Sequence, residues 1–350
     1  MHKKWLRILG ICLLLFLVTA CVPQNEGSPG ETGSSSSGES NQSEENGSSE
    51  ETYTFKLSHV TPPTHGWHKT AEKFNEELQA RSNGRMSVEI FPNSQLGTEA
   101  DMLQQMETGS LDFGFITNAY LSTRAEEFNA WFMPFLFEDL ADASEARHSE
   151  PAKQMLKNLE SQGLIGLDFS FAGNRHILMQ TGAVTSPEDL KGKKLRIIGS
   201  PAMSDFWAGL EVGTSPMPLP EVYTSLQTGV IDGIDIDLDA LVTLNLYEIA
   251  QDLTLTNHMA FPAVVVMSKV TFDKLSPEDQ QIVLDAMEAA IAWGIEDAIK
   301  REEENLQFVT DQGLNITEMK DHSAFDAVKE ELYSKYSENP IIKEFIEVNQ

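Results

Sequence analysis

Residues Tyr53–Ile116 read YTFKLSHVTPPTHGWHKTAEKFNEELQARSNGRMSVEIFPNSQLGTEADMLQQMETGSLDFGFI, and their rhythm decides the fold. TFKLSHV is a strand that Pro62-Pro63 breaks. A helix follows, with Trp67, Ala71, Phe74 and Leu78 at the spacing of one buried face, and Asn83-Gly84 is its stop signal. Arg85–Phe91 alternates Met86, Val88 and Ile90 as a second strand. After the loop Pro92–Gly97, Thr98 caps a second helix, with Asp101 three residues on, that runs to Gly109. Leu111–Ile116 is a third strand. Strand and helix in turn indicate an α/β fold with a largely parallel sheet.

The rhythm returns farther along, and with it a repeat. METGSLD at Met106–Asp112 resembles LQTGVID at Leu226–Asp232. In each, a helix ends at Thr-Gly and an apolar-Asp strand start follows; upstream of each lies a Gly-basic strand opening, at Gly84-Arg85 and Gly192-Lys193. Two copies in the same order favour two lobes of similar build. Ligands of open α/β sheets bind at the carboxyl ends of strands, and two facing lobes put those ends on one cleft. Ser276-Pro277-Glu278-Asp279 then starts a helix with no breaker before Gly313 other than Gly294. Unbroken, its 35 or so residues would reach about 50 Å, enough to brace both lobes. A kink at Gly294, or a second helix beyond it, is the other reading.

Between the two copies, Phe171–Ser200 (FAGNRHILMQTGAVTSPEDLKGKKLRIIGS) carries Arg175 and Arg196 on segments that read as neighbouring strands, HILM and KKLRII. An unpaired buried charge costs several kcal/mol. Each guanidinium therefore needs an anionic partner: either an internal carboxylate or a carboxylate ligand held by the planar fork. Asp232, Asp235, Asp237 and Asp239 alternate with Ile234, Ile236 and Leu238, as on a strand with one polar face. Those acids could bond ligand hydroxyls, pair with the arginines or face solvent, and solvent is expected for at least one. They are not a calcium loop, because EF-hand spacing puts Ala240 where glycine is needed and Leu246 where the closing glutamate belongs.

His59, His65 and His68 fall within ten residues, and His65-x-x-His68 could ligate a metal. There is no HExxH, no cysteine partner and no carboxylate at metal-ligand spacing, so these residues read rather as lining a cleft. For catalysis there is no G-x-S-x-G elbow and no G-x-x-x-x-G-K-[ST] phosphate loop, and no residues mark out a carboxylate pair for hydrolysis. The expectation is a protein that is not an enzyme and needs no cofactor, with a metal-binding protein or a secreted hydrolase as the alternatives.

The N-terminus places the chain outside the cytoplasm. Lys3, Lys4 and Arg7 precede an apolar run from Ile8 to Val18, and small residues lead to Cys21: a secretory signal over residues 1–20. The run is well short of the ~20 residues that span a bilayer, and Cys21 stands where a bacterial lipobox has its acylated cysteine. With Cys12 removed in the signal, Cys21 is the only other cysteine of the chain, so no disulfide is expected. Residues 21–52 are a Ser/Gly/Glu tether with a reach of roughly 30 Å. Anchor and tether suit an outer-face lipoprotein of a Gram-positive-type cell. Residues 53–350 hold 47 acids against 22 bases, a net charge of −25. That field repels nucleic acid and anionic lipid headgroups, so an anionic ligand needs a local basic pocket.

Taken in order, Asn93-Ser94-Gln95-Leu96-Gly97, Gly109–Asp112, Met133-Pro134-Phe135-Leu136-Phe137, Asp189–Arg196, Pro216–Gly233 and Leu253–His258 resemble the substrate-binding subunits of TRAP transporters, the DctP type. The resemblance spans roughly 53–330. It implies a two-lobed, periplasmic-binding-protein-like (Venus flytrap) α/β fold, with lobe I at 53–172 plus 262–300, lobe II at 173–261 plus 301–350, and crossovers near 172 and 261. It implies capture of a small organic acid and delivery to TRAP permease subunits in the membrane. In that family an arginine of the K-x-R strand holds the ligand carboxylate, here Arg196, and one in the preceding strand assists, here Arg175. Thr117 and Asn118, after the first-lobe Asp-aromatic strand, would face the ligand. Where the family commonly has Gln-Glu-Asn after Asp-Gly, this chain has Ile234-Asp235-Ile236, so Asp235 or Asp237 would meet hydroxyls of a sugar acid or hydroxy acid. His59 would line the cleft, and Phe171 and Trp207 would supply apolar walls.

Overall fold

The computed structural model describes residues 51–350. The signal over 1–20, Cys21 and all but the end of the tether lie outside the described residues. The strands, in chain order, are β1 (Tyr53–Ser58), β2 (Met86–Phe91), β3 (Phe113–Thr117), β4 (Leu164–Asn174), β5 (His176–Met179), β6 (Lys194–Ile197), β7 (Gly213–Pro216), β8 (Gly233–Ile236), β9 (Asp252–Leu255), β10 (Ala260–Ser268) and β11 (Asn315–Glu318). They form two sheets, ordered β2-β1-β3-β10-β4 and β11-β9-β5-β8-β6-β7. This is the two-lobed α/β architecture that the repeat implies.

The sheets are mixed rather than largely parallel. β1, β2 and β3 run parallel, but β10 is antiparallel to both β3 and β4. In the second sheet β5 is antiparallel to β8 and β9, while β6, β7 and β8 run parallel. β5 and β10 are the strands by which the chain enters one sheet directly from the other. Arg175 is the single residue between β4 and β5, and 256–259 join β9 to β10. β5 and β6 are not neighbours, contrary to expectation: β8 lies between them.

The sequence repeat is a repeated staple. Asp112 accepts the Lys56 backbone N–H (2.8 Å), and its own N–H donates to the Lys56 carbonyl (3.2 Å). Asp232 does the same with Lys194, at 2.7 and 2.9 Å. Each aspartate therefore fixes the register at which its strand enters beside a parallel neighbour.

Helix Gly66–Arg81 buries Trp67, Ala71, Phe74 and Leu78, and Thr98 with Asp101 forms a full capping box on helix Glu99–Glu107. The helix capped by Ser276 runs unbroken over Pro277–Asp311, 35 residues. Gly294 does not end it. A Cβ there would run into the Thr70 hydroxyl on helix Gly66–Arg81, so the glycine serves close helix packing. The long helix packs on Gly66–Arg81 and β4 from the first sheet and reaches helix Leu238–Thr243, which follows β8 of the second. The C-terminal helix Pro340–Val348, expected within lobe II, instead packs on helix Glu150–Asn158, with Phe345 against Trp131 at 4.8 Å between ring centroids. Among the described residues no helix is long and apolar enough to cross a membrane.

Candidate ligand-binding site

The carboxyl ends of strands from both sheets meet at a cavity of about 450 Å³, within the usual size of small-molecule sites. Val60 and Thr61 follow β1, Thr117 ends β3, and Ala172 lies near the end of β4. From the second sheet come Arg196 with Ile198 and Gly199 at the end of β6, the strap Pro216–Glu221 after β7, and Ile236 and Asp237 at the end of β8. His65, Trp67, Ser94, Glu99, Tyr120, Arg175 and Phe261 complete much of the wall.

The two arginines have separate fates. Arg175 is 1% exposed, and antiparallel pairing of β5 with β8 sets His176 against Ile236, which brings Arg175 level with Asp237. Its Nε donates to Asp235 Oδ1 at 2.6 Å, its Nη1 to Asp237 Oδ2 at 2.9 Å, and its Nη2 to the Asp235 carbonyl. Its face covers the Phe261 ring, 4.4 Å from the centroid. Asp235 also accepts from Trp207 Nε1 (2.9 Å) and lies 3.1 Å from His258 Nε2. Burial alone would push the Asp235 carboxyl up; Arg175 and His258 outweigh it and hold it below the usual carboxylate range.

Arg196 is equally buried but has no carboxylate in contact among the described residues. Its Nε and Nη2 donate to the Met217 carbonyl, at 3.2 and 2.8 Å. Its Nη1 has no hydrogen-bond partner among the described residues. Burial, then repulsion from Arg175, lowers its pKa to about 9. Trp67 and Ser94 also line the cavity, and Trp67 Nε1 and Ser94 Oγ are likewise buried with no hydrogen-bond partner among the described residues. Buried polar groups are normally paired, so these three residues are candidates to hydrogen-bond something that enters the cavity. Glu99, half-buried on the wall, accepts the Thr117 N–H at 2.6 Å. Burial raises its pKa to about 7, against the opposing effect of the Thr117 hydrogen bonds and of Arg196.

Of the expected site residues, Arg196, Arg175, Thr117 and Asp237 line the cavity. Five do not. Asp235 sits behind Arg175 as its counter-ion. Trp207 is fully buried behind Asp235, on which its indole N–H is used, so it forms no wall. Phe171 packs on Trp131, 5.6 Å between centroids, on the core side of β4. Asn118 is buried beside Thr117, with both amide atoms unpartnered among the described residues. His59 is buried behind the wall, where it hydrogen-bonds His68 (3.0 Å) and Thr61 (2.9 Å); burial, then His68, lowers its pKa to about 3. Asp235, Asp237 and Asp239 are buried, and of the four acids only Asp232 is partly exposed. Asp237 caps helix Leu238–Thr243, where Asp239 lies, so the strand ends at Ile236.

The metal reading loses its ligands. Both ring nitrogens of His59 are engaged, and His65 Nδ1 accepts the Trp67 N–H as a helix cap. No group of three His, Cys, Asp or Glu among the described residues is placed to hold a metal. Sequence reasoning did not find Glu99, Trp67, Ser94 or the Met217 carbonyl as wall groups. An acid in a helix's first turn and a Trp on an apolar helix face have ordinary structural explanations, and a backbone carbonyl leaves no mark in the sequence.

Two α/β sheets with their strand ends on a shared cavity, and a buried cation on its wall with no counter-ion in contact among the described residues, define a solute-binding protein. Residues 57–339 match the model of the bacterial extracellular solute-binding protein family 7, DctP, and the chain belongs to that family. A solute-binding protein of Roseobacter denitrificans is 32% identical over 295 residues, 83% of this chain and 90% of that protein. The 2,3-diketo-L-gulonate-binding periplasmic protein of Escherichia coli is 31% identical over 237 residues, 68% of this chain and 72% of that one. The crystal structure of a TRAP periplasmic solute-binding protein from Xanthobacter autotrophicus with bound β-D-galacturonate superposes with a TM-score of 0.80 at 30% identity, covering 84% of this chain and 98% of that chain. The chain is thus a substrate-binding protein of the TRAP type, extracytoplasmic, from a family of binding proteins rather than enzymes.

Proposed function

We propose that this protein captures a small organic acid, holds its carboxylate on Arg196, and delivers it to TRAP permease subunits without turning it over. The observation that carries this is Arg196, a buried cation on the cavity wall whose Nη1 has no partner among the described residues. A carboxylate there would complete a fork whose other two nitrogens the Met217 carbonyl already orients. Galacturonate in the Xanthobacter relative and diketogulonate in the Escherichia relative support sugar acids as the ligand class. Hydroxyls of such a ligand would find donors at Trp67 Nε1 and Ser94 Oγ and an acceptor at Glu99.

Lobe I (53–172 plus 262–300) and lobe II (173–261 plus 301–339) close by hinge motion at the two crossovers, with Pro340–Val348 carried by lobe I. Closure excludes water and strengthens the arginine–carboxylate pair. Micromolar affinity requires about 8 kcal/mol, more than one ion pair supplies, so hydroxyl contacts and the walls at Trp67 and Phe261 contribute the rest. Cys21 carries the lipid that tethers the protein to the outer face of a Gram-positive-type membrane.

The test is thermal denaturation with sugar acids, simple mono- and dicarboxylates, neutral sugars and zinc. Millimolar ligand at micromolar affinity stabilises by about 4 kcal/mol. A shift with an acid class and none with neutral sugars is expected; a shift with zinc alone would refute the reading.

A further inference from the structure

We infer that the cavity selects acids with a single carboxylate, and that Glu99 is the specificity-determining residue that rejects a second one. The inference rests on the reading of Arg196 as the carboxylate anchor and adds a constraint on the ligand's charge.

The argument is a count of charges on the wall. Among the described residues, the basic and acidic ones lining the cavity are His65, Glu99, Arg175, Arg196, Asp237 and Glu221, with no lysine. Arg175 is held by two carboxylates, Asp235 and Asp237, both buried. With His258 also on Asp235, the positive charge of that cluster is matched by its carboxylates and offers an incoming anion no surplus. His65 has its Nδ1 on the Trp67 N–H and lies 3.6 Å from Asp239 Oδ2. Among the described residues on the wall, Arg196 alone is an arginine without an acid in contact. One ligand carboxylate uses it, and a second would meet a wall that also holds Glu99, Asp237 and Glu221, with no cation left to receive it. An uncompensated buried charge is strongly disfavoured.

Glu99 adds direction to that count. It sits in the first turn of helix Glu99–Glu107, and one of its oxygens is fixed by the Thr117 N–H at the end of β3. The carboxyl therefore cannot swing away without losing that bond. Towards a ligand hydroxyl it is an acceptor; towards a second carboxylate it is a like charge, which must bind a proton before the two can share the space. Because burial already brings Glu99 to about 7, the rejection is sharpest above neutral pH, where the carboxyl is ionised.

The experiment uses the purified protein and titration calorimetry at pH 8.5 with pairs differing only in one terminal group: gluconate and glucarate, galactonate and galactarate, butyrate and succinate. We expect the monocarboxylate of at least one pair to bind and its dicarboxylate partner to bind at least thirtyfold more weakly. In Glu99→Gln, of the same shape without the charge, that ratio should narrow at least tenfold, and in the native protein it should narrow on lowering the pH to 6. A dicarboxylate binding as tightly as its monocarboxylate partner, in a protein that loses both on Arg196→Met, overturns this inference and leaves the acid reading standing. Binding of no acid at all overturns both. An unchanged ratio in a folded Glu99→Gln overturns the role of Glu99.

Discussion

Arg196→Met should abolish acid binding and yet make the empty protein more stable. The guanidinium is buried with one nitrogen unpartnered among the described residues, and its pKa falls well below the usual guanidinium value, to about 9. Below that pH it is charged in both the folded and unfolded chain, so at pH 7.5 the folded state carries the whole penalty. The shift already nets burial and Arg175 against the attraction of Asp235, Asp237 and Glu99, and it corresponds to on the order of 5 kcal/mol. Methionine keeps most of the aliphatic stem but gives up two hydrogen bonds to the Met217 carbonyl, about 1 kcal/mol each. A net gain of about 2–3 kcal/mol remains. At about 2 °C per kcal/mol for a chain of this size, the ligand-free Tm should rise by roughly 4–6 °C in scanning calorimetry. Titration calorimetry on the same samples should show acid affinity falling at least 100-fold, about 2.7 kcal/mol. A ligand-free variant melting more than about 2 °C below the native protein would refute the view of Arg196 as a strained, waiting charge.

Three further outcomes follow from other parts of the fold. Asp235→Asn leaves Arg175 buried on one carboxylate and should lower Tm by roughly 6–10 °C, since breaking a buried pair costs about 3–5 kcal/mol; a drop under 2 °C would show the cluster is not structural. Burial raises the Glu302 carboxyl to about 7 while it accepts the Asn174 N–H at 2.7 Å. Its folded pKa lies above its unfolded one, so its contribution is unfavourable only when ionised: absent below pH 4.5, growing through pH 7, and full above it. Urea midpoints of Glu302→Gln should therefore exceed native ones at pH 8 and converge with them at pH 4.5. Gly294→Ala should destabilise by about 1–3 kcal/mol through collision with Thr70, although alanine is the better helix former; pairing it with Thr70→Ala should restore most of the loss, and no rescue would place the strain elsewhere.

Much of this was legible in the chain. Strands and helices showed as period-two and period-3.6 patterns, and the METGSLD and LQTGVID copies marked matching staples because an aspartate that holds a neighbour's backbone must sit at a fixed offset from its strand. Pairing was less legible. Arg175 meets Asp235 and Asp237 only because β5 lies antiparallel to β8 in one register, and a one-residue slip would turn those acids to the other face. The alternation at 234–238 read as a strand with one wet face, but the strand stops at Ile236 and the acids turn inward to a cation that charge patterning could not locate. Phe171 and Trp207 looked like cleft walls because large apolar residues beside arginines suit a ligand. The same residues equally suit the core behind one, and here they lie there.

The strap Pro216-Met217-Pro218-Leu219-Pro220 has a consequence beyond lining the cavity. Three of its five residues have a locked φ and no N–H to donate, so the carbonyl that steers Arg196 hangs from a segment with few ways to move. The anchor is cast rather than assembled. A ligand arriving at it loses its own freedom but takes little from the wall, so the reach and angle of the guanidinium stay the same whichever acid arrives. Ligand choice can then drift through side chains such as Met217 and Leu219, which vary the shape of the mould while its fixed point stays where it is.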